Sequence, residues 1–205
     1  MIWYEDEVKR VEHIKRDIGY QPKTVFYGSS SIRMWESLYK DFKPYYPVNL
    51  GFGGSTLAAC VWFFDRIMKS LQPDHLIVYA GDNDLGDGRN PEEVYIFFQQ
   101  LLVCAQRSFG DIPLTFISIK PSPARKNLGD KICYTNKLIK QVIDKKGANY
   151  YFIDVYSKMA DAAGNPKREF FDADGLHLSS KGYALWKDIL LTHISLNVET
   201  SLTHI

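Results

Sequence analysis

A histidine three residues after a carboxylate, with a serine cluster far upstream, is a pattern that can do covalent chemistry. Here the downstream run is Asp172-Ala173-Asp174-Gly175-Leu176-His177 and the upstream run is Gly28-Ser29-Ser30-Ser31. A serine hydroxyl is a poor nucleophile until a base takes its proton and a third group holds that base in the right tautomer. In a turn, Asp174 can reach one ring nitrogen of His177 while the other faces the serine, although Asp172, two residues earlier, competes for the same role. A developing oxyanion would then need donors. The serine's own backbone N–H, Gly54 within Gly51-Phe52-Gly53-Gly54-Ser55, and the side-chain amide of Asn83 within Gly81-Asp82-Asn83-Asp84 can supply them.

Taken singly, each of these groups has an ordinary explanation. Serine, glycine and asparagine close turns, and either aspartate can cap a helix. What lifts the set above that is its position relative to the elements around it. The apolar runs 24–27, 46–50, 75–80, 114–119 and 151–155 predict five buried strands. Helical periodicity over about 55–70, 91–107, 129–145 and 179–193 alternates with them, and an amphipathic helix over about 3–18 precedes them. Strands alternating with helices predict a parallel sheet covered on both faces, an α/β three-layer αβα doubly wound domain of flavodoxin-like order 2-1-3-4-5. In such a sheet every turn after a strand opens on the same edge, where ligands bind. The hydroxyls, glycines, amide, carboxylates and histidine all collect there, together with Pro121-Ser122-Pro123-Ala124-Arg125 after the fourth strand.

Four blocks in order resemble the SGNH, or GDSL-type, hydrolases: Phe26-Tyr27-Gly28-Ser29-Ser30, Asn49-Leu50-Gly51-Phe52-Gly53-Gly54, Gly81-Asp82-Asn83-Asp84 and Asp174-Gly175-Leu176-His177. The resemblance spans about residues 25 to 183. It implies a triad of Ser30, Asp174 and His177, an oxyanion hole from the backbone of Ser30 and Gly54 with the Asn83 side chain, and ester hydrolysis without a metal or cofactor. It favours Ser30, two residues after Gly28, over Ser29 and Ser31, and Asp174 over Asp172. The sequence departs from the family at Ser29, where the family has an aspartate. Phe52 and Phe171 are the aromatics expected near substrate, and Arg125, with Lys126, is the candidate contact for an anionic substrate group.

Composition narrows the remaining classes. Lys and Arg total 25 against 24 acidic residues, a net charge of +1, which gives no electrostatic footprint for nucleic acid. Three cysteines without a Cys-x-x-Cys pair predict neither a disulfide framework nor a zinc cage. No apolar run is long enough to span a membrane, and the charged N-terminus lacks the pattern of a signal peptide, so the expectation is a cytoplasmic protein. The chain length of 205 residues fits one domain, with the tail 196–205 expected to fray. The function expected is hydrolysis of a short-chain or acetyl ester of a small molecule, carbohydrate or lysolipid. The rivals are a non-catalytic ligand-binding module on the same fold and a nucleotide binder. For the latter, Gly51-Phe52-Gly53-Gly54-Ser55-Thr56 puts threonine where a dinucleotide turn needs its last glycine.

Overall fold

A computed structural model of the chain describes residues 1–202, with side chains through Ile194. Among the described residues five strands form one sheet: β1 (Thr24–Gly28), β2 (Pro47–Gly51), β3 (His75–Tyr79), β4 (Leu114–Ile117) and β5 (Tyr150–Ile153), in the order β2-β1-β3-β4-β5. All pairings are parallel. The helices are α1 (Glu5–Asp17), α2 (Ser30–Arg33), α3 (Leu38–Asp41), α4 (Leu57–Met68), α5 (Asp82–Gly86), α6 (Pro91–Phe109), α7 (Gly129–Lys146), α8 (Tyr156–Met159) and α9 (Ser180–Leu202). The flavodoxin-like expectation holds.

Strand residues alternate between two cores, as period-two geometry requires. Val25, Tyr27, Val48, Leu50, Leu76, Val78, Leu114 and Phe116 point to the layer of α1, α4, α6 and α7, where they meet Val8, Phe64, Phe98 and Ile139. Phe26, Ile77, Tyr79, Ile117 and Ile153 point the other way, to Trp35, Phe42, Trp186 and Leu190. Because both faces are covered, the strands read as continuous apolar runs. Two of the long helices, α4 and α6, start at side-chain caps. Thr56 Oγ1 accepts the Ala59 N–H at 3.0 Å, and Asn90 with Glu93 forms a capping box ahead of Pro91.

Two details differ from the sequence expectation. The β1–β2 connection contains α2 and α3, single turns too short to show a helical period, which bury Ile32 and Leu38 on the second core. Strand β4 ends at Ile117 rather than 119 because Asn136 takes over the ladder: its Oδ1 accepts the Ile119 N–H and its Nδ2 donates to the Ile119 carbonyl, both at 2.8 Å. The tail expected to fray over 196–205 is helical through Leu202, and its last three residues lie outside the described ones.

The register positions the functional edge. Gly28 pairs with Gly51 on one side and Tyr79 on the other, so β2, β1 and β3 end abreast. Gly28 has φ +137°, and a Cβ there would fall 1.8 Å from the Tyr79 carbonyl oxygen. Only glycine lets β1 and β3 stay this close.

Core packing gives the first test. Phe98 is fully buried, with its ring T-shaped against Phe116 at 5.0 Å. Phe98→Ala should cost about 3–5 kcal/mol and lower the melting temperature by roughly 6–20 °C, read by differential scanning calorimetry. A shift under about 2 °C would mean that α6 does not pack as described.

Candidate active site

Ser30 opens α2 immediately after β1. The sheet ladder continues one residue into the loops on this edge: the Ser29 N–H donates to the Tyr79 carbonyl and the Phe52 N–H to the Gly28 carbonyl, both at 2.9 Å. From there the Ser30 hydroxyl reaches His177, with Oγ 3.1 Å from Nε2. On the other side of the ring, Nδ1 lies 2.5 Å from Asp174 Oδ2. Asp174 Oδ1 accepts the N–H groups of Leu176 and His177 at 2.8 and 3.0 Å, so the turn between carboxylate and ring is closed by the carboxylate itself. The hydrogen bond from His177, reinforced by these two N–H groups, holds the Asp174 pKa down at about 2. The contact is made by Asp174 and not by Asp172, whose backbone pairs with His177 and Gly175 instead.

The triad loop is braced from outside. Arg168 donates to three consecutive carbonyls, those of Phe171, Asp172 and Ala173, at 2.9, 2.5 and 3.1 Å. The Ala124 N–H donates to the Gly175 carbonyl at 3.0 Å. Arg168 carries no sequence signal for this role, since an arginine in a loop is by default solvated.

The glycine loop 51–54 is gripped by the N-terminal segment. The Tyr4 hydroxyl donates to the Gly54 carbonyl at 3.1 Å, Arg10 Nη2 to the Gly51 carbonyl at 2.6 Å, and Glu7 Oε2 accepts the Gly53 N–H at 2.8 Å. Burial alone would raise the Glu7 pKa, but the Gly53 N–H and the charges of Arg10 and Arg33 outweigh it and hold the carboxyl below its ordinary value.

Asn83 sits in α5, next to this loop, with Nδ2 donating to the Ser55 carbonyl at 3.0 Å and Oδ1 accepting from Arg125 Nη2 at 2.8 Å. Its neighbours are both buried carboxylates. Asp84 accepts the Leu57 N–H at 2.7 Å and an Arg89 N–H at 3.0 Å, and burial pushes its pKa up despite them. Asp82 would likewise be raised by burial, but Lys120 and Arg125 outweigh this and lower it. Lys120 is itself buried, which pulls its pKa down. Ser29, where the resemblance leads one to expect aspartate, is also buried, and its hydroxyl has no hydrogen-bond partner among the described residues.

The three residues expected to meet substrate lie elsewhere. Phe52 is fully buried in the first core, its ring edge-on to Tyr4 at 5.7 Å and to Phe63 at 6.2 Å. Phe171 is buried in the second core. For both, burial of a large ring wins over exposure on a loop. Arg125 turns inward, 3.0 Å from Asp82. Cys60 is buried, and burial pushes its thiol well above the ordinary range, so it is no rival nucleophile. Among the described residues no helix is long and apolar enough to cross a membrane.

The arrangement thus brings Ser30, His177 and Asp174 into one hydrogen-bonded line and sets Gly54 and Asn83 on adjoining loops. Comparison with known proteins agrees with this architecture. A comparison with curated sequences returns no match. Solved structures of similar fold include a Streptococcus pneumoniae protein named for platelet activating factor, 21% identical over 93% of this chain and 94% of that one, with a TM-score of 0.80. A GDSL-like lipase from Bacteroides thetaiotaomicron is 18% identical, covering 95% of this chain and 98% of its own, with a TM-score of 0.75. A carbohydrate esterase family 3 protein from Talaromyces cellulolyticus is 14% identical, covering 86% and 98%, with a TM-score of 0.70. The model of the GDSL-like Lipase/Acylhydrolase family matches residues 18–185, and the chain belongs to that family.

Proposed function

We propose that the protein is a serine esterase that cleaves a short-chain or acetyl carboxylic ester through an acyl-enzyme on Ser30. The observation that carries this reading is the unbroken line from Ser30 Oγ through the His177 ring to Asp174, with separations of 3.1 and 2.5 Å. Asp174 accepts two backbone N–H groups and the His177 ring, and so holds the ring with Nε2 toward the serine. A pure binding site has no need of a base aimed at a hydroxyl.

In the reaction His177 Nε2 takes the Ser30 proton as Oγ attacks the ester carbonyl. The oxyanion is met by the N–H groups of Ser30 and Gly54 and by the second Asn83 amide proton, the one not donated to Ser55. When the tetrahedral intermediate collapses, the bond to the alcohol breaks and His177 returns its proton to the leaving oxygen. Water then repeats the sequence: His177 takes its proton, the hydroxyl attacks the acyl carbon, and Ser30 leaves with the proton handed back. Asp174 stays ionised throughout, since its carboxyl titrates only at about pH 2. The neighbour named as a carbohydrate esterase puts carbohydrate esters first among the compounds to assay.

Two measurements test the reading. p-Nitrophenyl acetate turnover and fluorophosphonate labelling should both be present in the wild type and absent in Ser30→Ala. Labelling that persists in Ser30→Ala, or a folded wild type that neither labels nor turns over, overturns it. Asn83→Ala should lower kcat by about 10²- to 10³-fold with a smaller change in KM. An unchanged kcat removes Asn83 from the oxyanion hole.

A further inference from the structure

The Asn83 amide can present an N–H to an oxyanion only in one of its two flip states. A flipped amide would aim its oxygen where a donor is needed, and the two states have the same shape. Ser55 contributes a carbonyl, which can only accept, at 3.0 Å, and Arg125 a guanidinium, which can only donate, at 2.8 Å. One orientation satisfies both; the other turns both contacts repulsive.

Arg125 is itself built into place. Its Nη1 forms an ion pair with Asp82 Oδ2 at 3.0 Å, and the same oxygen accepts from Lys120 Nζ at 3.3 Å. The Lys120 tip is also 3.2 Å from the Tyr79 hydroxyl. The guanidinium lies flat on Gly86, where a Cβ would come within 2.8 Å of Nη2, so glycine is what leaves the room. Two cations around one buried carboxylate are expensive to desolvate and add little to stability. Burying them beside a reacting centre needs another reason.

Resting on the esterase reading above, we propose that Arg125, anchored by Asp82 and Lys120, is a positioning residue that locks Asn83 with its N–H toward the oxyanion. The excess positive charge left by two cations on one carboxylate also polarises the amide and strengthens that N–H as a donor. Arg125 presents its guanidinium to the interior and not to substrate: Nη2 donates to Asn83, and Nη1 is buried 3.0 Å from Asp82 without a hydrogen-bond partner among the described residues. The same turn carries Ala124, whose N–H holds the triad loop at Gly175, so the segment after β4 sets both halves of the site.

The test is a double-mutant cycle in the intact chain: wild type, Asn83→Ala, Arg125→Met and the double variant, with kcat and KM for p-nitrophenyl acetate. Arg125→Met should lower kcat about ten-fold or more with KM within about two-fold, and in the Asn83→Ala background it should change kcat by less than about two-fold. Arg125→Lys keeps the charge opposite Asp82 but loses the fork, and should fall between wild type and Arg125→Met. If Arg125→Met does not fold, Arg125→Lys replaces it in the cycle and is judged by the same non-additivity. Losses that multiply in the double variant overturn the inference while leaving the esterase reading intact. So does an effect on KM alone, or one confined to an anionic ester, which would make Arg125 a substrate contact. An unchanged kcat in Asn83→Ala overturns the oxyanion reading and this inference with it.

Discussion

Gly28, at the end of β1, is in register with Gly51 and Tyr79, and the Tyr79 carbonyl passes so close that no side chain fits between. The rest of the site depends on this contact. The loops bearing Ser30, Gly54 and Asn83 leave the sheet at the same level, and the hydrogen bonds of Ser29 and Phe52 carry the ladder one residue further into two of them. Any residue larger than glycine would push β1 away from β3 and move Ser30 relative to the opposing loops. Acyl transfer tolerates little of that, since misplacement by about 1 Å can cost about a hundredfold in rate.

A sheet can set where loops begin but not how they end, and the polar network does the rest. Helix α5 is a single turn, too short to hold itself. Three consecutive residues tie it down in three directions: Asp82 to Lys120 and Arg125, Asn83 to Ser55, and Asp84 to the first turn of α4 and to Arg89. The burial that raises the Asp84 pKa and lowers that of Lys120 is an energetic cost. Apolar residues could fill the same space more cheaply, but they would not orient an amide.

The fold was legible in the sequence because buried parallel strands and the helices between them each carry a period that composition does not blur. Alternation gave the parallel sheet, while the 2-1-3-4-5 order was one choice among doubly wound folds; residue types alone left Asp172 and Asp174 in competition for His177, and only the family resemblance favoured Asp174, which makes the contact. Elements below the resolution of a period, such as α2 and α5, were not. Side-chain direction on the loops was not legible either. Phe52 and Arg125 look like residues that face a ligand, yet one is drawn into an aromatic cluster by its apolar area and the other into the interior by a buried carboxylate. Asp82 reads as part of a turn; nothing in the sequence pairs it with Lys120, 38 residues later.

The N-terminal segment shows how support for a site can lie outside the region that defines the family. The family match begins at residue 18, yet Tyr4, Glu7 and Arg10 hold the carbonyls of Gly51 and Gly54 and the N–H of Gly53. A carboxylate beside a loop that would face an oxyanion is at first sight the wrong charge. Glu7, however, is bracketed by Arg10 and Arg33, at 3.3 and 2.8 Å, so the cluster is net positive. Its function in this geometry is to consume the Gly53 N–H. With that donor and the flanking carbonyls committed to α1 and the turn before it, the loop is fixed at three points from the side of the N-terminal segment.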